Sequence, residues 1–278
     1  MSSESSILSE SAPLDLRLSS EELEATVDHL TSFVQRVVDD AGAEGAVLGL
    51  SGGIDSTCTA YLAEAALGPE NVHGLIMPST ANPEESMSAA ERVAETLGIT
   101  YDVVEIHDIA ERILETFPEA AEDQMAAGNV NVRVRGVLNY YVANHENRVV
   151  LGTGNRSEAL TGYFTKYGDQ AVDCNPLGNL YKQQVRQVAA HLGAPEELVA
   201  RTPSAEMWSG QTDEAELGLA YDTLDAILAL HVDGPLSTAA TVRALDGVDA
   251  DDVARVVDLY ERSQHKRRMP PAPDPLHL

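Results

Sequence analysis

The chain has 278 residues, 44% of them hydrophobic, enough to bury a sizeable core. Its 18 Lys and Arg against 45 Asp and Glu leave a formal charge of −27, which argues against a nucleic-acid-binding face, since phosphate neutralisation needs surplus positive surface. There is no apolar run near the roughly 20 residues that cross a bilayer, no signal layout in MSSESSILSESAPLD, and two cysteines, Cys58 and Cys174, make neither a disulfide framework nor a Cys-rich zinc site.

The expectation is a cytoplasmic protein that binds neither membrane nor nucleic acid. The acids are spread along the chain and form no tail, so they read as the shell of a folded, salt-adapted protein in which screening relieves repulsion. Fifteen of the basic residues are Arg and three are Lys, at 166, 182 and 266. A chain that has shed its surface Lys keeps it where a compact ammonium is needed.

Residues 1–18 are Ser-rich and read as a flexible segment ahead of a single domain over 19–278. Ser19 and Glu22 have capping-box spacing ahead of a helix that Gly42 ends. GAVLGL, 45–50, is a continuous apolar run typical of a buried parallel strand. A Gly turn, a helix over 55–67 and a strand over 72–77 follow. Asn82-Pro83 opens a helix to Leu97, and 100–106 reads as the third strand. A long helix near 130–145 precedes a fourth strand, 148–153. From 180 onward the pattern is helical, near 180–192, 213–231 and 250–266, ending in the Pro-rich tail PPAPDPLHL. The alternation predicts an α/β fold, a doubly wound parallel sheet of about five strands with a helical C-terminal portion.

LGLSGGIDS, 48–56, ends the first strand and starts a helix. Ser51, Gly52 and Gly53 let the backbone curl so that its N–H groups and the helix N-terminus face an anion. It lies at the carboxyl end of a strand, where open α/β sheets bind ligands. It has no Walker Lys and does not match GxGxxG. A carboxylate beside phosphate needs an intervening cation, so Asp55 points to Mg²⁺; as a bare sequence feature it is equally an N-cap.

SGGIDS at this position resembles the pyrophosphate loop of the ATP pyrophosphatases, which include GMP synthetase, asparagine synthetase, tRNA-thiolating enzymes and NAD synthetase. The stretch LGTGNRSEALTGYFTKYGDQAVDCNPLGNLYKQQVR, 151–186, resembles the central signature of NAD synthetase. PSAEMWSGQTDEAELG, 203–218, and HKRRMPPAP, 265–273, resemble later segments of that family. Each of the three lysines falls in such a motif.

The resemblance implies an adenine nucleotide alpha-hydrolase-like fold and an ammonia-dependent ligase. It would make NAD, AMP and pyrophosphate from deamido-NAD, ATP and ammonia through an acyl adenylate. No covalent nucleophile is implied; the demands are positioning and charge neutralisation. By position, Gly49, Leu50, Ser51, Gly52, Gly53, Ile54, Asp55 and Ser56, with Thr153, Lys182 and Ser204, are implied for ATP. Arg135, Lys166, Asp173, His265 and Lys266 are implied for deamido-NAD, and Asp55 and Glu158 for Mg²⁺. A homodimer is implied too, with the helix near 130–145 as its seam, and free ammonia as donor, since 278 residues leave no room for an amidase domain.

Bland readings stand beside these. Glu158 taken alone reads as a surface helix acid, Asp173 as a turn cap, Arg135 as a helix ion-pair residue with Arg133 as its rival, and Met77 as either core or a lining of the adenine pocket. Cys58 reads as core and Cys174 has nothing nearby to activate it. LIMPSTANPEES lacks the Arg that many relatives carry after the second strand, so no Arg contact to ATP carries over there. Segments 79–86 and 205–212 read as lids. Two rivals remain: a nucleobase- or tRNA-modifying enzyme with the same AMP-forming step, and a nucleotide sensor without turnover.

Overall fold

The computed structural model describes residues 15–79, 84–204 and 210–273. The Asn82-Pro83 helix opening, most of both expected lids, residues 1–14 of the N-terminal segment and the last five residues lie outside these. Four parallel strands, β1 (Ala46–Gly49), β2 (Val72–Ile76), β3 (Thr100–Val103) and β4 (Val149–Leu151), pair in the order β3-β2-β1-β4. In register, Ala46 faces Val72 on one side and Val149 on the other. A single parallel bridge, Leu151 to Cys174, marks where the sheet would gain a further strand.

Helices cover both faces because the strands alternate between two cores. Ala46 and Leu48 face α1 (Ser20–Ala41), α2 (Ile54–Leu67), α3 (Glu84–Leu97) and α7 (Lys182–His191), packing with Val34, Leu62, Val93 and Val188. Val47, Leu75 and Val150 face the other way, onto Val134 and Ala143 of α5 (Gln124–Glu146), which α4 (His107–Leu114) flanks. Val47 and Leu48, adjacent in sequence, are both fully buried on opposite faces, which is why these strands read as continuous apolar runs.

The capping box of Ser19 and Glu22 and the left-handed Gly42 bound α1 as the sequence predicts. The third strand is shorter than 100–106 in the ladder, and Val103 is half exposed at the sheet edge. Its chain still tracks β2, since Val104 and Ile106 donate to the carbonyls of Ile76 and Pro78.

The C-terminal portion forms its own core. It comprises α9 (Asp213–Leu217), α10 (Tyr221–Ile227) running into a π-turn over Leu228–Val232, α11 (Thr238–Ala244) and α12 (Ala250–Arg262). Their Leu224, Leu228, Val253 and Val256 pack together. The expected single helix over 213–231 is therefore broken; Gly218, left-handed at φ 77°, ends α9. Two further short helices lie outside the predicted elements, α6 (Arg156–Thr161) and α8 (Glu196–Val199).

This topology positions the site. The chain leaves β1 toward β2 and β3 on one side, and β4 returns on the other. The carboxyl ends of β1 and β4 therefore flank a topological switch point, where open α/β sheets form their ligand crevice.

Candidate active site

A cavity of about 960 Å³ opens at that switch point. Its floor is the loop after β1. Gly52 takes a φ of 80°, a left-handed turn that suits Gly. The Ser51 N–H donates to Ser56 Oγ at 3.2 Å, and Ser56 Oγ donates to the Gly53 carbonyl at 3.1 Å, so the two serines brace the curl. Gly53 is the N-cap of α2 and offers no side-chain cap, leaving the first-turn amides of a 14-residue helix to a ligand.

From the other side of the switch point, β4 leads through Thr153 to α6. Gly152 there has no substitute: a Cβ would lie 2.2 Å from Asn175 Oδ1. Asn155 caps α6 in a reciprocal capping box with Glu158, and its Nδ2 donates to Asp55 Oδ1 at 2.8 Å. Asn155 thus holds both carboxylates, Asp55 through its side-chain amide and Glu158 through its backbone N–H at 3.3 Å. Lys182, the first residue of α7 and 2% exposed, donates to Asp55 Oδ2 at 2.5 Å and to Glu158 Oε1 at 3.0 Å.

The lysine is held in turn. Its backbone N–H donates to Ser157 Oγ at 2.9 Å, and Ser157 donates to the buried Asp225 at 2.5 Å. Asp225 also accepts from the Gln183 N–H at 3.0 Å. The Lys182 ammonium lies 5.1 Å from the centre of the Tyr221 ring, and the Tyr221 hydroxyl donates to Asp213 Oδ2 at 2.9 Å.

Charge in this corner is tightly coupled. Burial disfavours the Lys182 ammonium, but Asp55, Glu158 and Asp213 outweigh it and hold the side chain protonated. Burial raises Glu158 and Asp213, each opposed by Lys182. Burial pushes Asp225 up to about 7, opposed by its bonds from Ser157 and Gln183. Cys58 is fully buried with its thiol raised by desolvation, and burial pushes Cys174 up to about 11, so neither is an activated nucleophile.

Most residues singled out from sequence converge here. Gly49, Leu50, Ser51, Gly53, Ile54, Asp55, Ser56, Thr153, Glu158, Lys182 and Ser204 line the cavity, as do Arg135, Lys166 and Lys266. Gly52 lies behind the wall, its carbonyl accepting from Arg201 at 3.3 Å. Ser204 donates to the Gln211 carbonyl at 2.7 Å. Arg135 donates to the Met77 carbonyl at 2.9 Å, which brings a cation from α5 to the end of β2, where the local sequence has none. Met77 serves both readings, packing in the core and lining the cavity.

Lys166 follows Phe164 in a loop that contains Tyr167 at φ 58°, a left-handed conformation unusual for an aromatic residue. Lys266 donates to the carbonyls of Gly162 and Phe164 at 2.7 and 2.8 Å, clamping α12 to that loop.

Besides Gly52, two of the expected residues are not brought to the wall. Asp173 is exposed, accepting from the Val150 N–H at 2.7 Å and from Tyr140 at 3.0 Å. His265 is exposed on the turn after α12. Sequence reasoning missed Asn155, Asp213, Tyr221 and Asp225. Only Asn155 carried a local signal, the N-x-x-E spacing of a capping box.

The cavity's composition inverts that of the chain. Seven of the 18 basic residues line it, including all three lysines, against five of the 45 acids. Hard carboxylate oxygens in one corner with a cationic wall around them suit a divalent cation bound alongside polyphosphate.

Comparison with known proteins accords with this chemistry. The NAD synthase family profile matches residues 26–270. The chain is 58% identical to the NH3-dependent NAD(+) synthetase of Halobacterium salinarum over 94% of this chain and 97% of that one. Among solved structures, the NMN synthetase of Francisella tularensis superposes with a TM-score of 0.80 at 33% identity, covering 93% of this chain and all of that one. The NH3-dependent NAD synthetase of Campylobacter jejuni does so at 0.75 and 29%, covering 91% and 99%. From the capped pair of carboxylates at the switch point to the extent of these matches, the chain belongs to the NAD synthase family.

Proposed function

We propose that this chain is an ammonia-dependent NAD synthetase acting in the cytoplasm, converting deamido-NAD, ATP and ammonia to NAD, AMP and pyrophosphate. The observation that carries the reading is the convergence of the Ser51–Ser56 loop, the Asp55–Lys182–Glu158 cluster and the cationic wall in one cavity at the switch point. The names and near-full-length coverage of the relatives support the substrate pair.

In this reading the loop from Gly49 to Ser56 cradles the ATP phosphates with its amides, and Thr153 and Ser204 donate to the nucleotide. Asp55 and Glu158 hold Mg²⁺, whose contribution is to neutralise phosphate charge and polarise the α-phosphate. The nicotinate carboxylate oxygen attacks the α-phosphorus and the bond to pyrophosphate breaks. Ammonia then attacks the acyl carbon, the bond to AMP breaks, and nitrogen gives up a proton. Lys182 meets the phosphate charge as a point cation. Arg135, Lys166 and Lys266 bind deamido-NAD, with Asp173 and His265 joining once a second copy or substrate closes the site.

That second copy is a homodimer mate on the α4–α5 face. Support comes from exposed Ile109, Ile113, Phe117, Val137 and Tyr141, and from an apolar groove of about 270 Å³ beneath them. Arg133 lines both this groove and the cavity. Tyr141→Asp should yield monomers by sedimentation, and the wild-type dimer should weaken in low salt; a profile unchanged between low and molar KCl removes the salt-adapted dimer.

The test of function is a product assay in molar KCl with ATP, Mg²⁺, ammonium and deamido-NAD. Equal NAD and AMP support the reading. Faster amidation of nicotinate mononucleotide moves the substrate toward that of the Francisella neighbour, and absence of AMP at any salt overturns the ligase.

A further inference from the structure

Lys182 sits where the proposed cation belongs. Its Nζ lies 2.5 Å from Asp55 Oδ2 and 3.0 Å from Glu158 Oε1, the two oxygens that the proposed function gives to Mg²⁺. A buried ammonium and a divalent ion cannot share that position. The carboxylates do not depend on the lysine for their place, because Asn155 binds Asp55 at 2.8 Å and closes a capping box with Glu158. The pair therefore persists as an ion site when the lysine leaves.

A destination is at hand. Asp213 is 3% exposed and lines the cavity; its Oδ2 accepts from Tyr221, whereas its Oδ1 has no partner at hydrogen-bond geometry among the described residues, the Tyr163 hydroxyl being the neutral donor that faces the carboxylate. A buried carboxylate oxygen without a donor is costly. The Tyr221 ring, with the Lys182 ammonium 5.1 Å from its centre, links the two positions and can stabilise the cation in transit.

We propose that Lys182 is an internal stand-in for the metal, that it vacates the Asp55–Glu158 pair when a divalent cation enters, and that Asp213 receives it through the unpartnered Oδ1 until phosphate oxygens do. Asp213 is then a positioning residue that lowers the cost of exchange. This rests on the metal assignment in the proposed function. The empty pair is never left unneutralised, and the metal is admitted at the cost of moving one side chain.

The test is Mn²⁺ binding to nucleotide-free protein at fixed KCl, followed by loss of the free-ion EPR signal. Lys182→Gln should bind Mn²⁺ about tenfold tighter than wild type or more, the scale of removing one charge at contact distance from a divalent ion. Asp213→Asn should weaken Mn²⁺ binding several-fold more in wild type than in Lys182→Gln, because its charge acts on the pair in both backgrounds and only the lysine uses it as a receiving carboxylate. Equal affinities for wild type and Lys182→Gln overturn the exchange. Weakening by Asp213→Asn to the same extent in both backgrounds overturns the role of Asp213.

Adding Asp55→Asn to Lys182→Gln must abolish the tight site; survival of that site overturns the metal assignment itself, a failure distinct from that of the exchange. Should Lys182→Gln not fold, the wild type still decides. The chain has three lysines, so ¹³C-lysine labelling gives three side-chain signals, assigned with Lys166→Arg and Lys266→Arg. Titration with Mg²⁺ alone should shift the Lys182 signal selectively, and an unmoved signal at saturating Mg²⁺ overturns the exchange.

Discussion

The cavity and the outer shell of this protein handle charge in opposite ways. In the cavity, ions lie within hydrogen-bond distance of one another: Lys182 touches two carboxylates, and Asn155 fixes both. On the shell, acids such as Glu21, Asp39 and Asp40 of α1 are exposed, and the last turn of that helix has no basic residue. Cavity charges interact at short range in a desolvated corner; shell charges repel at long range through water. Salt screens the second kind far more than the first. A net charge of −27 and a basic polyphosphate cavity are thus compatible because different physics governs each.

The contrast breaks most sharply at Asp55. Asp55→Ala should abolish AMP and NAD formation, a loss of a thousandfold or more, with the unfolding midpoint in molar KCl changed by only a few degrees; native-rate AMP release from this variant would remove the carboxylate from the chemistry. Next in size is salt. Moving wild type from molar to low KCl should lower the unfolding midpoint by about ten degrees or more, since only the shell loses its screening. Calorimetry across a KCl series measures this, and a flat series would show the acids to be solvated without strain.

A smaller effect sharpens the cavity side. Asn155→Ala removes the amide that orients Asp55 and the side-chain cap that seats the first turn carrying Glu158, and should raise the Mg²⁺ concentration for half-maximal activity by about 10–100-fold. The smallest expected effect concerns Asp225. Burial pushes it up to about 7, above the ordinary value of 3.8, so the folded state holds its proton more tightly than the unfolded chain. That contribution is fully present below pH 4, is lost as pH rises through 7, and is absent above. Asp225→Asn should flatten the pH dependence of the midpoint by a few degrees between pH 4 and 7, and an unchanged slope would assign that dependence elsewhere.

Much of this was legible in the sequence, and unevenly. The apolar runs at 45–50 and 148–153 read as buried strands and contain β1 and β4, and the SGGIDS loop between a strand and a helix marked the site's floor. The scarcity of lysine pointed to three positions, and all three line the cavity. Glu158 is not the surface helix acid of the rival reading: its side chain is 16% exposed, closes the Asn155 capping box and forms a wall of the ion corner.

Asp213, Tyr221 and Asp225 were invisible because their roles arise from tertiary packing of the C-terminal helices against α7, with no local spacing to betray them. The break in 213–231 was missed for a related reason: apolar periodicity survives across Gly218 although the helix does not. Asp173 and His265, carried over by resemblance, are exposed. Their expected role therefore depends on what closes over that surface.

The bond from Ser157 to Asp225 has a consequence for biosynthesis. Asp55, Glu158 and Lys182 leave the ribosome before Asp213, Tyr221 and Asp225, which lie on the helices that build the second core. A nascent chain that has completed the sheet therefore carries its ion corner wet, with Ser157 and the start of α7 lacking their buried acceptor. Only when the late helices dock does water leave and the lysine become locked. Competence to bind nucleotide should appear as the last event of folding, so a chain stalled before residue 225 would have a finished sheet and an unfinished site.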